Sequence, residues 1–197
     1  TKELLYLINR PGNAASHDGA GPWIDRAIAL VKPTAGQVHL RGDTDFSLTW
    51  KFDEWDAAGV TFNFGMDASP KLVALAQSLP EAHWRGLARV SPPIKTEPRE
   101  QPENVKERIV REREFLNQRL DSEQVAEFEY QPGKCQQSYR MVVLRKTLSL
   151  ERGEQALFDQ IRYFFYISNR RDLAWYEVVQ DANERCNQEN VIEQLKN

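Results

Sequence analysis

The spacing of apolar residues in the first eighty positions predicts strands that alternate with helices. Residues 3–8 contain the unbroken apolar run Leu4 to Ile8, which is typical of a strand covered on both faces of a sheet. Residues 38–43 predict a second strand, in which Val38 faces one side and Asp43 the other. Residues 60–66 alternate apolar with small or polar positions, as a half-buried strand does. We therefore expect three strands in this part of the chain.

Apolar positions at helical spacing follow each of these strands. Ser16 or Asp18 is expected to cap the first helix, and Pro33 to close it. Ser69 is expected to cap the third helix, with Pro70 at its first position. The apolar faces of the three helices consist of Trp23, Ile24, Ala27, Ile28 and Val31, of Leu48, Phe52 and Trp55, and of Leu72, Val73, Leu75 and Ala76. The order of strands and helices predicts an α/β fold with a largely parallel sheet.

The pattern changes after residue 80, where prolines and charged residues indicate the start of an insertion. Residues 103–120 favour a charged helix, and an edge strand at 109–115 is the alternative. The elements expected after it are strands at 125–130 and 139–146 joined by a hairpin, a short helix near 155–160, a strand at 163–167 and a final helix from Leu173.

Composition narrows the class of protein. The 197 residues are 41% hydrophobic and 28% charged, which suits one α/β domain with a core. The net charge of −3 argues against a uniformly basic nucleic-acid binder, so that any DNA contact would need a local basic surface. Two cysteines and three histidines favour neither a zinc site nor a disulfide framework, and a reducing cytoplasm is the simplest location. The apolar runs are too short to span a bilayer.

The last predicted helix carries an acid between two bases on one face. Arg185 and Glu189 are four residues apart, and Glu189 and Lys196 are seven apart, so that all three share a face at 3.6 residues per turn. A carboxylate placed in this way suits a divalent metal, while the basic side chains suit phosphate oxygens. The alternative is a solvated helix face with ordinary ion pairs.

The strand that ends at Asp43 supplies the second motif, Arg-Gly-Asp-Thr-Asp-Phe at residues 41–46. Together, the two stretches resemble the DDE transposases of bacterial insertion sequences. In that family an R-G-D-(S/T)-x-F segment ends a strand with the second catalytic Asp, and the third acid lies in a helix reading R-x-x-x-E-x-x-x-x-x-x-K. The chain has Ala182 at the position where the family often has Tyr.

The resemblance implies metal-dependent phosphoryl transfer on DNA. Asp43 and Glu189 would be catalytic and would bind two Mg²⁺ ions, for which Mn²⁺ would substitute. Arg185 and Lys196 would contact DNA phosphates. The reaction would cut transposon ends and join them to target DNA.

The resemblance also implies an architecture and a setting. The fold would be ribonuclease-H-like, with a mixed sheet flanked by helices and a mostly β insertion before the C-terminal catalytic helix. Residues 1–90 would begin the core, 91–162 would form the insertion, and 163–197 would supply the last core strand and the catalytic helix. The protein would act as a homodimer on DNA in the bacterial cytoplasm, at the nucleoid and without membrane contact.

The family's first catalytic Asp has no counterpart before Arg41. Asp18 lies in a Gly-rich turn and Asp25 in a predicted helix, which are the wrong settings. We therefore interpret the chain as a fragment and expect it to be inactive alone. Two alternatives stay open: a ribonuclease-H-like nuclease that does not join strands, and a non-catalytic DNA-binding remnant.

Two further groups of residues have alternative interpretations. Arg140, Arg145 and Lys146 lie on one predicted strand, where they would contact DNA or form a solvated face. Trp175 and Tyr176 would stack on a flipped base or pack in the core beneath the last helix.

Overall fold

The computed structural model describes residues 5–8, 11–88, 105–152 and 155–183. These residues form an α/β structure around a mixed sheet of six strands, in the spatial order β1-β2-β6-β5-β4-β3. The strands are β1 (His39–Gly42), β2 (Thr61–Met66), β3 (Arg85–Gly86), β4 (Leu116–Tyr130), β5 (Tyr139–Arg152) and β6 (Gln155–Ser168).

Only one of the neighbouring strand pairs in this described sheet is parallel. β1 pairs in parallel with β2, whereas β2–β6, β6–β5, β5–β4 and β4–β3 are antiparallel. The parallel pairing predicted from the first eighty residues holds for β1 and β2, and the described sheet as a whole is mixed, as the resemblance implies. The reason lies in the connections, because the short links between β4, β5 and β6 permit antiparallel pairing only, whereas a helical crossover joins β1 to β2.

Helices cover both faces of the sheet. They are α1 (Ala20–Ala35), α2 (Phe52–Ala57), α3 (Pro70–Ser78), α4 (Val105–Glu112) and α5 (Trp175–Asn183), with short 3₁₀ turns at Thr44–Phe46, Thr49–Lys51 and Glu81–His83. Within the described parts of the chain, no helix is long and apolar enough to cross a membrane.

The helix ends confirm one predicted cap and correct another. Ser69 caps α3 by accepting a hydrogen bond from the Leu72 backbone, with Pro70 in the first turn. Gly19 rather than Ser16 or Asp18 precedes α1, and its φ of 67° is a conformation that glycine adopts without strain. Pro33 lies inside α1, which ends before Gly36.

Two predicted elements differ in type. Residues 5–8 have no regular secondary structure and are exposed, although Tyr6 contacts the Trp23 ring of α1. An apolar run forms a core strand only where a neighbouring strand pairs with it, and none does at 5–8. The predicted helix near 155–160 is the first part of β6, because β5 supplies a paired edge along its length.

The predicted hairpin of the second half is confirmed, and the helix predicted over 103–120 is confirmed only for 105–112, because β4 begins at Leu116. α4 spans Val105–Glu112, where Arg108 and Glu112 pair at i,i+4 with 3.6 Å between nitrogen and oxygen. β4 and β5 are antiparallel neighbours, and both extend well beyond the predicted 125–130 and 139–146. The predicted boundaries at residues 90 and 162 stay predictions, and β4, β5 and β6 lie in the same sheet as β1 and β2.

The larger core lies between the sheet and α1 to α3 and is rich in aromatic rings. Phe52 of α2 stacks on Phe62 of β2 with 4.5 Å between ring centroids, and Phe64 stacks beside them. Trp55 is buried against the same group. Burial of each ring contributes about 2–3 kcal/mol, so this cluster is the main apolar attachment of α2 to the sheet.

A second, smaller core lies on the opposite face, beneath α5. Val178 and Val179 of α5 are buried against Val125, Val142 and Leu144 of β4 and β5. The sheet is therefore apolar on both sides at its centre. For this reason β2 is buried on both faces, and the prediction that residues 60–66 are half-buried is wrong for the polar Asn63, which has no exposed surface.

A polar contact holds the β4–β5 loop against α2. The Asp53 carboxylate accepts hydrogen bonds from the Tyr139 hydroxyl and from the Gln136 backbone N–H, each at 2.6 Å. These hydrogen bonds, led by that from Tyr139, lower the pKa of Asp53. The loop is thereby attached to α2 by directional hydrogen bonds.

Replacing Tyr139 with Phe should lower the free energy of unfolding by about 1 kcal/mol. The substitution removes the buried hydroxyl group that donates a hydrogen bond to Asp53. Urea unfolding measures the change. Tyr176→Phe is the control, since Tyr176 is 42% exposed and its change should stay within about 0.5 kcal/mol. Equal effects of the two substitutions would contradict the structural role of the Asp53 contact.

Candidate active site

Asp43 lies immediately after β1, as the sequence predicts. Its backbone is extended, and its carbonyl oxygen accepts a hydrogen bond from Phe46 that starts the 3₁₀ turn Thr44–Phe46. The residue is exposed. Asp43 therefore lies at an exposed turn directly after a sheet strand.

Gly42 allows this turn to pack closely on β2. A Cβ atom at Gly42 would lie 2.8 Å from the Phe64 ring and 3.1 Å from Cβ of Phe46. On the neighbouring strand, a Cβ at Gly65 would lie 3.2 Å from the Thr44 backbone nitrogen. The glycine before Asp43 is therefore required by the close approach of a ring, which the sequence motif alone does not reveal.

The three predicted site residues of the last helix, Arg185, Glu189 and Lys196, lie outside the described residues. The separation of the Asp43 and Glu189 carboxylates, on which the predicted site depends, stays a prediction. The part of the predicted last helix that the structure describes is α5, which begins with Trp175 beside Arg85 of β3 and extends to β1 and β2. It contacts β1 through Asp181.

Asp181 is the centre of a polar group between α5 and the first two strands. We refer to Asp181, His39, Arg41 and Asn63 as the Asp181 cluster. One carboxylate oxygen accepts from His39 Nε2 at 3.0 Å and from Asn63 Nδ2 at 2.9 Å, and the other from Arg41 at 3.1 Å. The same Arg41 nitrogen donates to the Asp181 backbone carbonyl at 2.9 Å. Both oxygens of the carboxylate are thus engaged.

His39 lies between Asp181 and the neighbouring strand. Its Nδ1 lies 3.0 Å from the Thr61 hydroxyl, which donates to the Val38 carbonyl. Its Nε2 donates to the Asp181 carboxylate, which can only accept. Hydrogen bonds at both ring nitrogens therefore orient the imidazole.

Burial and hydrogen bonding act in opposite directions on Asp181. Burial raises the pKa of its carboxyl group, but the hydrogen bonds from His39 and Asn63 and the positive charges of His39 and Arg41 outweigh it. The resulting pKa is about 2, below the ordinary value of 3.8. The carboxylate therefore stabilises the folded state wherever it is charged.

The side-chain amide of Asn63 is oriented so that it donates hydrogen bonds to α5. Its amide nitrogen donates to the Val178 carbonyl at 2.8 Å as well as to Asp181, while its own oxygen is buried without a hydrogen-bond partner. An unpaired buried acceptor costs about 1–3 kcal/mol. The hydrogen bonds that both N–H groups of the amide donate to α5 offset this cost.

The predicted DNA-contact residues of β5 are engaged within the protein. Arg140 pairs with Glu127, Arg145 with Glu81 and Lys146 with Glu123. The side chain of Arg145 also lies over the Trp84 ring and is 13% exposed. These three side chains form ion pairs around the sheet rather than a fully solvated face, and the predicted DNA contact stays a prediction.

The two aromatic residues at the start of α5 have different surroundings. Trp175 packs against the smaller core beneath α5, in agreement with the core-packing alternative. Tyr176 touches its ring edge-on and is 42% exposed. Base stacking therefore stays an open alternative for Tyr176.

Asp43 carries carboxylate oxygens, which a hard cation prefers, at an exposed residue. Among the described residues, no group of three or more His, Cys, Asp or Glu side chains is arranged to hold a metal ion. The predicted set includes Glu189, which lies outside those residues. Metal binding by Asp43 therefore stays a prediction.

Sequence reasoning did not identify the Asp181 cluster. Asn63 carries a usable signal, since a polar residue between Phe62 and Phe64 in a core strand is expected to have a buried partner. The sequence around Asp181 gives no such signal, because a single acidic residue on a helix is typical of a solvent-exposed position.

Comparison with protein-family models, with curated proteins and with solved structures finds no match.

Replacing Gly42 with Ala should lower the free energy of unfolding by about 1–3 kcal/mol, because the added methyl group meets the Phe64 ring. Gly86→Ala is the matched control, since Gly86 also lies in a strand and a Cβ there has no atom within 4 Å. It should change stability by less than about 1 kcal/mol. Urea unfolding of both variants decides, and a Gly42→Ala protein as stable as the Gly86→Ala protein would contradict the close approach.

The Asp181 ion pairs should make stability depend on acid pH. Because the folded pKa is about 2 and the ordinary value is 3.8, the stabilisation is complete above about pH 5 and is lost as the pH falls from about 4 to about 2. On the order of 2 kcal/mol is involved. Unfolding free energies of wild type and Asp181→Asn should differ most near neutral pH and converge near pH 2.

Asp172→Asn is the control for this pH dependence. Its carboxylate pairs with Arg170 and also has a pKa of about 2, but its side chain is 65% exposed. Solvent and salt screen such a pair, so its effect should be small and should disappear in high salt. An equally large and salt-resistant effect at Asp172 would show that burial does not make the Asp181 ion pairs stronger than an exposed pair.

Proposed function

We propose that the chain is the catalytic core of a DNA transposase of the DDE type, which cuts transposon ends and joins them to target DNA. The proposal starts from the two sequence motifs, the strand-end Asp43 and the helix residues Arg185, Glu189 and Lys196. In this proposal, the mixed sheet with helices on both faces would be a ribonuclease-H-like core extended by antiparallel strands.

One observation carries the proposal: α5 contacts the strand that ends at Asp43. Asp181 of α5 is hydrogen-bonded to Arg41, which lies two residues before Asp43 on β1. Glu189 follows Asp181 by eight residues, which is about 12 Å along an α-helix. The predicted continuation of α5 toward Glu189 would thus begin where α5 contacts β1, the strand that Asp43 follows.

The roles of the chain's own residues follow from their chemistry. Asp43 and Glu189 would bind Mg²⁺ through carboxylate oxygens, which this hard cation prefers. Bound Mg²⁺ supplies activation of water for strand cleavage and of the 3′ hydroxyl for joining. Arg185 and Lys196 would hold phosphates of the DNA backbone next to the reacting bond, which positions the strand without reading its sequence.

The first acid of the set is expected on a strand beside β1. Asp25 does not take this role, because it accepts hydrogen bonds from Trp55 at 2.9 Å and pairs with Lys51 at 2.7 Å on the other face of the sheet. Among the described strands β1 has β2 as its one neighbour, and its other side is an edge of the described sheet. That edge is where a strand carrying the first acid would pair.

Asp43→Asn and Glu189→Gln should each lower the rate of Mg²⁺-dependent strand cleavage by at least about 100-fold in the full-length protein, because each removes a charged metal ligand. A single-turnover cleavage assay on DNA carrying the terminal repeats measures this. Asp121→Asn is the control, since Asp121 is exposed on β4 and contacts Ser149, four strands from β1.

The products of the same assay separate the candidate functions. Joining of the cut 3′ end to target DNA supports a transposase, whereas cleavage without joining indicates a nuclease. DNA binding without cleavage indicates a non-catalytic binding protein. Unchanged cleavage in either acid variant would remove the assignment of that residue.

A further inference from the structure

We propose that Asp181 is a positioning residue that fixes the end of α5 on β1 and thereby sets the approach of the downstream residues to Asp43. The inference about position rests on the described geometry alone. Its consequence for cleavage rests on the proposed function, so the two parts need separate measurements.

Apolar packing attaches α5 to the sheet but does not by itself determine where the helix ends. Val178, Val179 and Ala182 are buried on its inner face. Contacts between aliphatic groups are non-directional, so a helix held by them alone is free to slide or rotate by small amounts. A fixed position needs directional contacts, and those occur at Asp181.

The contacts at Asp181 restrain both its side chain and its backbone. Arg41 donates from a single nitrogen to the carboxylate and to the backbone carbonyl of the same residue. Asn63 extends the restraint by one turn, because it donates to the Val178 carbonyl as well as to Asp181. Rotation or sliding of α5 would break several of these hydrogen bonds together.

The donors belong to a rigid part of the sheet. β1 and β2 are paired in register, with His39 opposite Thr61 and Arg41 opposite Asn63. Thr61 also orients the His39 ring toward Asp181 through the hydrogen bond to Nδ1. The unpaired Asn63 oxygen is consistent with this role, because turning the amide to satisfy it would remove the donors that hold the helix.

The cluster connects α5 to the segment that ends in Asp43. Arg41 is two residues from Asp43, about 7 Å along a strand. A shift of α5 at Asp181 is therefore a shift relative to Asp43. Displacements of about 1 Å lower the rate of a reaction that depends on alignment by as much as 100-fold without abolishing binding.

The test compares Asp181→Asn, His39→Gln and their double variant with wild type, using Asp172→Asn as the control. Asp172 precedes α5 in the chain and pairs with Arg170, and the cluster affects its carboxylate only through the charge of His39. His39→Gln retains a hydrogen-bond donor, so it also serves if Asp181→Asn does not fold. All variants are made in the full-length protein.

Hydrogen exchange of the backbone amides at residues 178–183 measures how often the end of α5 opens from the sheet, without reference to activity. We expect exchange to be at least 10-fold faster in Asp181→Asn and in His39→Gln, and unchanged in Asp172→Asn. The double variant should be no worse than Asp181→Asn alone, because the two residues act through one contact. Unchanged exchange in Asp181→Asn, or fully additive effects, would overturn the positioning role.

Single-turnover cleavage measures the consequence. We expect the rate at saturating DNA to fall 10- to 100-fold in Asp181→Asn while DNA affinity stays within about 3-fold, since the contacts to DNA remain but their alignment changes. A merely structural role would lower the folded fraction and leave the rate per folded molecule intact, and that result would overturn the inference for catalysis. Faster exchange in a protein that never cleaves DNA would support the positioning role and reject the proposed function.

Discussion

The structure depends on how α5 is held against the first two strands of the sheet. A helix that packs on a sheet usually does so through aliphatic side chains, and α5 follows this rule over β4 and β5. Over β1 and β2 the sheet presents His39, Arg41 and Asn63 instead. Covering such groups without partners would cost several kcal/mol, so Asp181 is the residue that makes this end of the interface possible.

The two faces of the sheet are covered by different kinds of side chain. The face toward α1, α2 and α3 is a continuous aromatic core built on Phe52, Phe62 and Phe64, and it supplies most of the apolar burial near β2. The face toward α5 combines a small aliphatic core with the Asp181 cluster. Because aromatic packing on one side holds β1 and β2 in place, the polar groups on the other side have fixed positions from which to orient α5.

The polar interactions around the sheet are largely self-contained. Arg140, Arg145 and Lys146 each have an acidic partner within the chain, and Asp25 is bound by Lys51. A DNA phosphate would have to compete with these partners. Asp43, which directly follows β1, is an exposed residue at the end of the strand that contacts α5.

Local signals in the sequence determined several elements correctly: the strand before Asp43, the Ser69 cap with Pro70 and the hairpin between β4 and β5. Each depends on neighbours within a few residues, through side-chain alternation, a capping oxygen or a turn. The direction of strand pairing, the unpaired state of residues 5–8 and the strand at 155–160 depended on which segments meet in space, and local propensity contains no such information. Asp181, likewise, is an ordinary helix residue in the sequence. Only the tertiary structure, by bringing β1 and β2 beneath α5, placed three donors around its carboxylate and so decided its role.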